Sequence, residues 1–565
     1  MVTRLAHAKP GCAALLWMLC LAAPPLAQPA YPQASRPAPF EVYEPAPFEV
    51  YERGAVELQA AMESGTVTSA QLVQSYLARI AAFDQAGPAL NAILQLNPDA
   101  LAEARALDQE RALRGPRSPL HGIPVLVKDN FDVAGLPTTG GSVALQDLVP
   151  HEDSWLVARM RDAGAIVLAK TNMHEFAFGI TTTSSLGGQT RNPYDLTRNP
   201  GGSSGGTAVG VTASFAPVGW GTDTCGSVRI PAAYNGLLGL RPTQGLLSTS
   251  GVLPLSHTLD TPGPMARAAM DLAVAMDAVL GPGGPGRAGR SSDLAAPAFV
   301  AALQDDALVG VRIGVLGDHL DGAWTIGEVL AELGRTLPSG TAVAPTDLLR
   351  ATSEGSGEGL EVGQAARGAL ERMEAMGAEL IEIRLGDMDA FLVGEDVIDL
   401  EFERDLQAYL LAAPAAPLRS LDDILRLGVH DPSIEDVLIR RNKAASASPV
   451  EYRDALARLA ATREELLQVF ERDRLDAIAY PTMRRPPAEI GQNQWGSMCL
   501  LSASTGFPAI TIPVGLGPGG LPVGLELLAR AGEDARLVAF AYAFEKAHQQ
   551  RIAPGTTPPL MHWTP

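Results

Sequence analysis

The chain has 565 residues, of which 46% are hydrophobic, so it is long enough to bury a large core. Its formal net charge of −20 is spread without a long acidic run, which disfavours nucleic acid and anionic membrane as partners. The sequence contains neither a CxxC nor an HExxH pattern, so we predict no metal site and no other cofactor.

The N-terminus is typical of a bacterial signal peptide. Arg4 and Lys9 are followed by an apolar stretch at 12–21 and by a small residue, Ala27, where cleavage is expected. We therefore predict a signal peptide at 1–27, a periplasmic or secreted protein, and no stable membrane span after cleavage. The alternative is an uncleaved N-terminal anchor.

Residues 28–52 form a Pro-rich segment in which one octapeptide occurs twice, at 37–44 and at 45–52. Two octamers are too short to stack a core of their own, so this segment is predicted to be an extended linker. The folded, catalytic domain is expected over 53–565.

The first part of that domain alternates between helix and strand patterns. Thr68 and Gln71 fit a capping box at the start of an apolar helical repeat. The pattern then predicts helices at 99–113 and 154–163 and strands at 123–127 and 165–169. Helix–strand alternation favours an α/β fold, a single large domain with a central mixed, mostly parallel sheet covered by helices on both faces.

Further along the chain, residues 337–361 are polar and rich in Gly and Ser, which predicts a mobile insertion. Residues 390–475 are predicted to be a helical excursion that walls a pocket. Short apolar runs predict strands at 378–383, 477–479, 509–514 and 523–528, and a final helix is predicted at 534–549.

Two short motifs are rejected on their surroundings. Residues 201–205 fit GxSxG, but Arg198-Asn199-Pro200 precede them where a nucleophile elbow requires a strand. Residues 284–289 fit GxGxxG, but they lie in a Gly/Pro-rich stretch with no strand before it, which favours a linker over a dinucleotide site.

A third arrangement joins Lys128, Ser203 and Ser227. A serine nucleophile needs a base, and a lysine can serve if burial lowers its pKa. Lys128 ends a predicted apolar strand, and small residues before Ser227 let several backbone N–H groups converge as an oxyanion hole requires. Taken singly, Lys128 also suits a structural ion pair, and Ser203 and Ser204 suit a turn.

Several ordered blocks together resemble the amidase signature family. They are Gly122–Asn130, Lys170–Met173, Gly187–Tyr194, Pro200–Gly206, Gly221–Pro231, Gly236–Thr243, Asp260–Pro264, Gly506–Ala509 and Leu521–Gly524. The resemblance implies the amidase signature fold over roughly 55–550. It is weaker across 330–475. The substrate pocket is expected to be built partly from 174–186 and from the helical excursion near 395–475.

The same resemblance assigns roles to individual residues. It makes Ser227 the nucleophile, Ser203 a bridging serine after a cis peptide bond, and Lys128 the base. It places the oxyanion hole on the backbone N–H groups of Thr224, Cys225, Gly226 and Ser227. Ser204 is expected to support the loop, and Asp223 and Arg229 to form a supporting ion pair.

Cys225 departs from the family pattern, which has a small residue there. Because Cys12 and Cys20 lie in the predicted signal peptide, Cys225 and Cys499 remain, and they are not predicted to form a disulfide framework. We expect Cys225 to be a small pocket-lining residue with a free thiol, or else one that influences substrate choice.

Within the family, the chain is similar to bacterial peptide amidases around Gly87–Leu101 and Gly187–Tyr194. The predicted function is therefore a serine amidohydrolase that cleaves a carboxamide, with the C-terminal amide of a peptide as one candidate, through an acyl-enzyme on Ser227. Three alternatives stay open: an aryl-amide, carbamate or ester hydrolase with the same triad, a glutaminase subunit of an amidotransferase, and a non-enzymatic tethered binding protein. Pocket candidates are Phe176 and Phe178, and the sequence indicates no oligomeric state.

Overall fold

A computed structural model describes residues 47–281, 298–320, 345–385, 391 and 393–560, and these belong to one compact unit. The predicted signal peptide, most of the Pro-rich linker and the GxGxxG motif lie outside the described residues. Within these ranges, no helix has the length and apolar character needed to cross a bilayer.

An eleven-stranded sheet runs through the unit in the order β1-β3-β2-β4-β6-β5-β10-β11-β9-β7-β8. The strands are β1 (Ile93–Leu96), β2 (Pro124–Lys128), β3 (Ile166–Thr171), β4 (Val218–Asp223), β5 (Leu238–Arg241), β6 (Thr261–Ala266), β7 (Arg312–Leu316), β8 (Glu379–Ile383), β9 (Ala477–Pro481), β10 (Ala509–Leu516) and β11 (Pro522–Leu528). Strands β2 to β4 are buried along their whole length, as expected where helices cover both faces.

The mixed sheet is confirmed, but the expectation that it is mostly parallel is wrong. Of the ten pairings between described strands, four are parallel, namely β2 with β3 and β4, and β7 with β8 and β9. The other six are antiparallel. The strand–helix–strand pattern that suggested parallel pairing holds locally, whereas β5, β6, β10 and β11 meet as antiparallel neighbours in the centre of the sheet.

Fifteen described helices accompany the sheet. They are α1 (Ala55–Glu63), α2 (Ser69–Phe83), α3 (Ala100–Arg114), α4 (Trp155–Asp162), α5 (Gly205–Thr212), α6 (Arg229–Tyr234), α7 (Ala269–Leu280), α8 (Phe299–Ala302), α9 (Pro345–Ala375), α10 (Glu395–Ala412), α11 (Leu421–Leu427), α12 (Glu435–Ala444), α13 (Pro449–Arg472), α14 (Leu500–Ala503) and α15 (Asp534–Ala547). The predicted capping box starts α2, with Gln71 N–H donating to Thr68 Oγ1 at 3.2 Å.

The folded domain begins before residue 53. Val50 is buried in the main core, and Phe48 packs against it. The Glu52 N–H donates to Ser214 Oγ at 3.0 Å, and the Glu52 carboxylate pairs with Arg551. The end of the second octapeptide therefore belongs to the domain, because its apolar side chains find a core to pack against.

Helix α9 includes residues 345–361 of the mobile insertion expected at 337–361, and residues 337–344 lie outside the described residues. Its C-terminal half buries Val362, Ala366, Leu370 and Met373, which recur at helical spacing. Packing of this apolar stripe outweighs the low helix propensity of the Gly and Ser residues before it.

Four helices, α10 to α13, lie in the range 390–475, where a helical excursion was predicted. Helices α10 to α13 enclose a second apolar core, to which Val397, Phe402 and Leu438 contribute. This core also takes in Phe176 and Leu253 from the loops that follow the sheet strands. The excursion is thereby packed against the end of the sheet where the catalytic residues were predicted.

Candidate active site

Lys128 and Ser227 reach one region because their strands are parallel neighbours. Lys128 is the last residue of β2, and Ser227 follows the end of β4. The carboxyl ends of parallel strands lie at the same edge of a sheet, which is where such folds place their sites. Ser203 comes to this edge from the loop directly before α5.

Lys128 is fully buried beside Ser203. Its Nζ lies 2.7 Å from Ser203 Oγ and 2.8 Å from Thr222 Oγ1. Burial is the main reason why the pKa of Lys128 falls to about 7, since Asp260 and Asp223 act in the opposite direction. A lysine in this state can hold a neutral amine at physiological pH and accept a proton.

This buried lysine should also affect stability. The unfolded chain holds the lysine proton up to about pH 10.5 and the native state only up to about pH 7. Stability should therefore rise with pH in that window, by about 1.4 kcal/mol per pH unit from this group. We expect the unfolding free energy of the wild type, minus that of Lys128→Met, to rise with this slope above pH 7 in urea titrations. A flat difference would contradict the lowered pKa.

The loop that carries Ser203 is rich in glycine because it passes through tightly packed surroundings. A Cβ at Gly205 would lie 2.2 Å from Thr182 Oγ1, and one at Gly206 would lie 2.4 Å from the Asn172 carbonyl oxygen. The peptide bond between Gly202 and Ser203 is cis. These glycines let the bridging serine come next to Lys128 without a clash.

Ser204 links this loop to Ser227 by a hydrogen bond. Its N–H donates to the Ser227 carbonyl at 3.1 Å, and its Oγ donates to the Thr222 carbonyl at 3.3 Å. The supporting role expected for Ser204 stays a prediction, and these are the contacts that such a role would use.

The residues before Ser227 differ in one respect from the expected oxyanion hole. The Gly226 N–H donates to Asp223 Oδ1 at 2.8 Å, so this amide is already engaged. Gly226 has a φ of +79°, which favours glycine and turns the chain sharply before the nucleophile. The oxyanion hole proposed below accordingly uses the N–H groups of Thr224, Cys225 and Ser227.

A buried ion network supports this turn. Asp223 pairs with Arg229 at 3.1 Å and with Arg241 at 3.1 Å, and Arg229 also pairs with Glu526. Burial alone would raise the pKa of Asp223, but the two guanidinium groups outweigh it and hold that pKa well below its usual range. The predicted pair of Asp223 and Arg229 is thus one part of a larger network.

We expect Asp223→Asn to lower the free energy of unfolding by about 3–5 kcal/mol, since it leaves Arg229 and Arg241 buried with an unbalanced charge. Urea unfolding measures this loss. The matched control is Asp195→Asn, which removes a half-exposed pairing with Arg198 and should change stability by less than about 1 kcal/mol. Equal losses in the two variants would contradict a stabilising role for the network.

Cys225 is bonded to Cys499 in a disulfide, which corrects the expectation of a free thiol. The two cysteines are 274 residues apart in sequence, and their Cα atoms lie 5.1 Å apart. Cys499 comes directly before α14, so the disulfide joins residues 224–228, termed the nucleophile loop after the role predicted for Ser227, to the C-terminal part of the domain.

Two polar side chains at the site were missed. Asp260 accepts from Thr224 Oγ1 at 2.5 Å and from the Leu255 N–H at 2.8 Å, so it anchors one end of the nucleophile loop. Thr222 Oγ1 accepts from Asn130 Nδ2 at 3.0 Å and contacts Lys128. Both residues lie within the sequence blocks that resemble the amidase signature family, and that position could have indicated a supporting role for them.

A cavity of about 230 Å³ opens over Ser227. Its lining comprises Ala177–Ile180 after β3, Cys225 and Ser227, Glu395, Ile398 and Asp399 on α10, Val437, Arg440 and Arg441 on α12, and Gln494, Ser497, Cys499 and Leu500. Residues of α10 and α12, which lie in the predicted helical excursion, are thus part of the cavity wall. Phe178 lines it as expected, but Phe176 does not, because its ring is buried against Phe178 and Phe402.

Both apolar and charged side chains line this cavity. Asp399 lies between Arg440 at 2.7 Å and Arg441 at 3.1 Å. The Arg441 guanidinium stacks over the Phe178 ring at 4.0 Å from its centroid. The site thus offers both apolar contact and charge to a substrate next to Ser227.

A second titratable cluster lies on the outer side of α10. His257, Glu401 and Asp405 are close enough to share an ion. The Glu401 carboxylate, however, already accepts from Ser256, Thr258 and Tyr452. The guanidinium of Arg404 contacts Asp405 at 3.3 Å, so both carboxylates of the cluster already have partners.

In this α/β fold, Lys128 and Ser227 lie at the carboxyl ends of the parallel neighbours β2 and β4, with Ser203 beside Lys128. The sequence profile of the amidase family matches residues 71–334 and 353–538, and the chain belongs to this family. A glutamyl-tRNA(Gln) amidotransferase subunit from Acidothermus cellulolyticus is 32% identical over 532 residues, covering 88% of this chain and 95% of that protein.

Solved structures agree with this membership. The native peptide amidase of Stenotrophomonas maltophilia superposes with a TM-score of 0.77 at 34% identity, covering 91% of this chain and all of that one. An amidase family protein from Bacillus anthracis superposes with a TM-score of 0.74 at 28% identity, covering 89% and 92% of the two chains.

Proposed function

We propose that this protein is a serine amidase that cleaves a carboxamide through an acyl-enzyme on Ser227. The observation that carries the proposal is the 2.7 Å approach of the buried Lys128 Nζ to Ser203 Oγ, at the same end of the sheet as Ser227, which lines the cavity. A lysine of lowered pKa beside a serine is the base that a serine nucleophile needs.

The first half-reaction forms the acyl-enzyme. Neutral Lys128 takes the Ser203 hydroxyl proton, and Ser203 takes the Ser227 proton as Ser227 Oγ attacks the substrate carbonyl carbon. The N–H groups of Thr224, Cys225 and Ser227 stabilise the oxyanion. The proton then returns along the same path to the leaving nitrogen, the C–N bond breaks, and an amine or ammonia departs.

The second half-reaction releases the acid. Water takes the place of the amine, loses its proton along Ser203 to Lys128, and attacks the acyl carbon. Collapse of the second oxyanion breaks the bond to Ser227 Oγ, which regains its proton from the relay. The chemistry requires only this chain's own residues and water.

For the substrate, we propose a peptide amide, taken up in the cavity between the β3 loop and the excursion. The mixed lining of Phe178, Ile398 and the Asp399–Arg440 pair suits a peptide segment. The likeness to the Stenotrophomonas peptide amidase supports this class. A panel of peptide amides, anilides, carbamates and esters tests it: preference for an anilide or carbamate would contradict the peptide-amide proposal while keeping the triad.

We also propose that the protein works outside the cytoplasm, in the periplasm or as a secreted protein. The signal-like sequence at 1–27 and the disulfide between Cys225 and Cys499 support this, since structural disulfides persist in oxidising compartments. Fractionation of cells that express the full chain tests it, and a purely cytoplasmic product would contradict it.

A second candidate is a glutaminase subunit of an amidotransferase. It is favoured by the amidotransferase relatives, of which the Acidothermus protein is one example. Release of ammonia from free glutamine at a kcat/KM above that for peptide amides would favour this candidate. The reverse order would favour the peptide amidase.

A further inference from the structure

The disulfide lies at the reacting centre. Cys225 precedes Ser227 by two residues, and both cysteines line the cavity together with Ser227. The Cys225 N–H is also one of the three proposed oxyanion donors. A covalent bond at this residue therefore acts directly on the backbone that must hold the developing charge.

The other anchors of the nucleophile loop reach it from the side of the sheet. Thr224 is held by Asp260 at 2.5 Å. The Gly226 and Val228 N–H groups are held by the Asp223 carboxylate at 2.8 and 3.2 Å. Cys225 lies between these anchored residues, where its own fixed partner is Cys499.

Cys499 covers the loop from the cavity side. A Cβ at Gly226 would lie 2.7 Å from Cys499 Cβ, so the two residues are in direct contact. The Cys499 carbonyl accepts from Arg229 Nη2 at 3.2 Å, which ties it to the ion network. The loop is thus held between that network and Cys499, and the disulfide bonds it covalently to Cys499.

We propose that the Cys225–Cys499 disulfide is a positioning element for catalysis, which fixes the Cys225 and Ser227 amides towards the oxyanion. The proposal rests on the function proposed above. An oxyanion hole works because its donors are fixed before charge develops, and displacements of about 1 Å can cost on the order of 100-fold in rate. Without the bond, the Arg229 contact still holds the Cys499 carbonyl, but nothing fixes Cys225 covalently to this segment.

Reduction of the disulfide provides the test. Dithiothreitol supplies two electrons and two protons, becomes a cyclic disulfide itself, and leaves two cysteine thiols. Since both cysteines line the cavity, a small reductant can reach them. We expect reduction of the folded full chain to lower kcat about 10- to 100-fold and to change KM by less than about threefold. Reoxidation should restore kcat.

Variants and controls make the test specific. Cys225→Ser/Cys499→Ser should have the low kcat of the reduced enzyme and should not respond to dithiothreitol. Cys12→Ser/Cys20→Ser should respond as the wild type does. The rate at which a fluorophosphonate labels Ser227 should fall with kcat, and circular dichroism should show native secondary structure in every sample at the assay temperature.

Three outcomes would contradict the proposal. The first is an unchanged kcat and labelling rate when thiol titration shows two new thiols. The second is a kcat that falls only as native circular dichroism is lost, since that indicates a purely structural bond. The third is an oxidised protein with neither turnover nor Ser227 labelling, which would contradict the proposed function as well.

Discussion

Replacing Ser227 by alanine is expected to lower kcat/KM by at least about 10⁴-fold, since removal of a serine nucleophile leaves only binding and oxyanion stabilisation. Folding should be unaffected, because the change removes one oxygen from a side chain that lines the cavity. Initial rates on a peptide amide, with circular dichroism of the same samples, measure this.

A control separates this result from general damage. Ser446→Ala removes a hydroxyl that donates to the Lys443 carbonyl at an exposed helix end, and it should keep wild-type activity. If Ser227→Ala kept a tenth or more of the wild-type rate, the hydrolysis would come from another nucleophile.

The second large effect concerns Lys128. Its amine must be neutral to accept a proton, and its pKa is about 7. Activity should therefore be full above pH 7 and should fall about tenfold for each pH unit below it. In Lys128→Met the base is gone, and we expect kcat/KM to fall at least about 10³-fold and to lose this pH dependence.

The matched control is Lys443→Met, which replaces a lysine near the exposed end of α12. It should keep the wild-type rate and pH profile. A wild-type profile that is flat from pH 5 to 8, or an active Lys128→Met enzyme, would show that Lys128 is not the base.

The sequence predicts the part of the fold that depends on local patterns. Apolar runs such as the one that ends at Lys128 form strands, and the capping box at Thr68 starts a helix. The same local patterns do not predict strand β6, because Pro262 and Pro264 lie within it. Prolines usually disfavour an inner strand, yet β6 pairs with β4 and β5 in the middle of the sheet.

Many of the candidate site residues could be predicted from the sequence because it resembles the amidase signature family. The approach of Lys128 and Ser203 agrees with it, although the two residues are 75 positions apart. The disulfide could not be predicted from the sequence, because no local pattern brings Cys225 and Cys499 together. Their contact depends on how the C-terminal segment folds back over the nucleophile loop, and the same contact determines the packing around Gly226.

The engaged Gly226 amide illustrates a limit of carrying roles from a resemblance. The motif indicates which residues surround the nucleophile, but each N–H direction depends on φ and on nearby acceptors. Here Asp223, held in place by two arginines, draws that amide away from the cavity. Which acceptor the Gly226 N–H binds therefore depends on the folded loop and not on the motif.

The central claim is that Ser227 carries the acyl group. Incubating the full chain with a fluorophosphonate and mapping the adduct by mass spectrometry tests it most directly. We predict one adduct, on the peptide that contains Ser227, formed as activity is lost and absent in Ser227→Ala. An inactivated enzyme whose label sits on another residue, or an active enzyme that takes up no label, would contradict the claim.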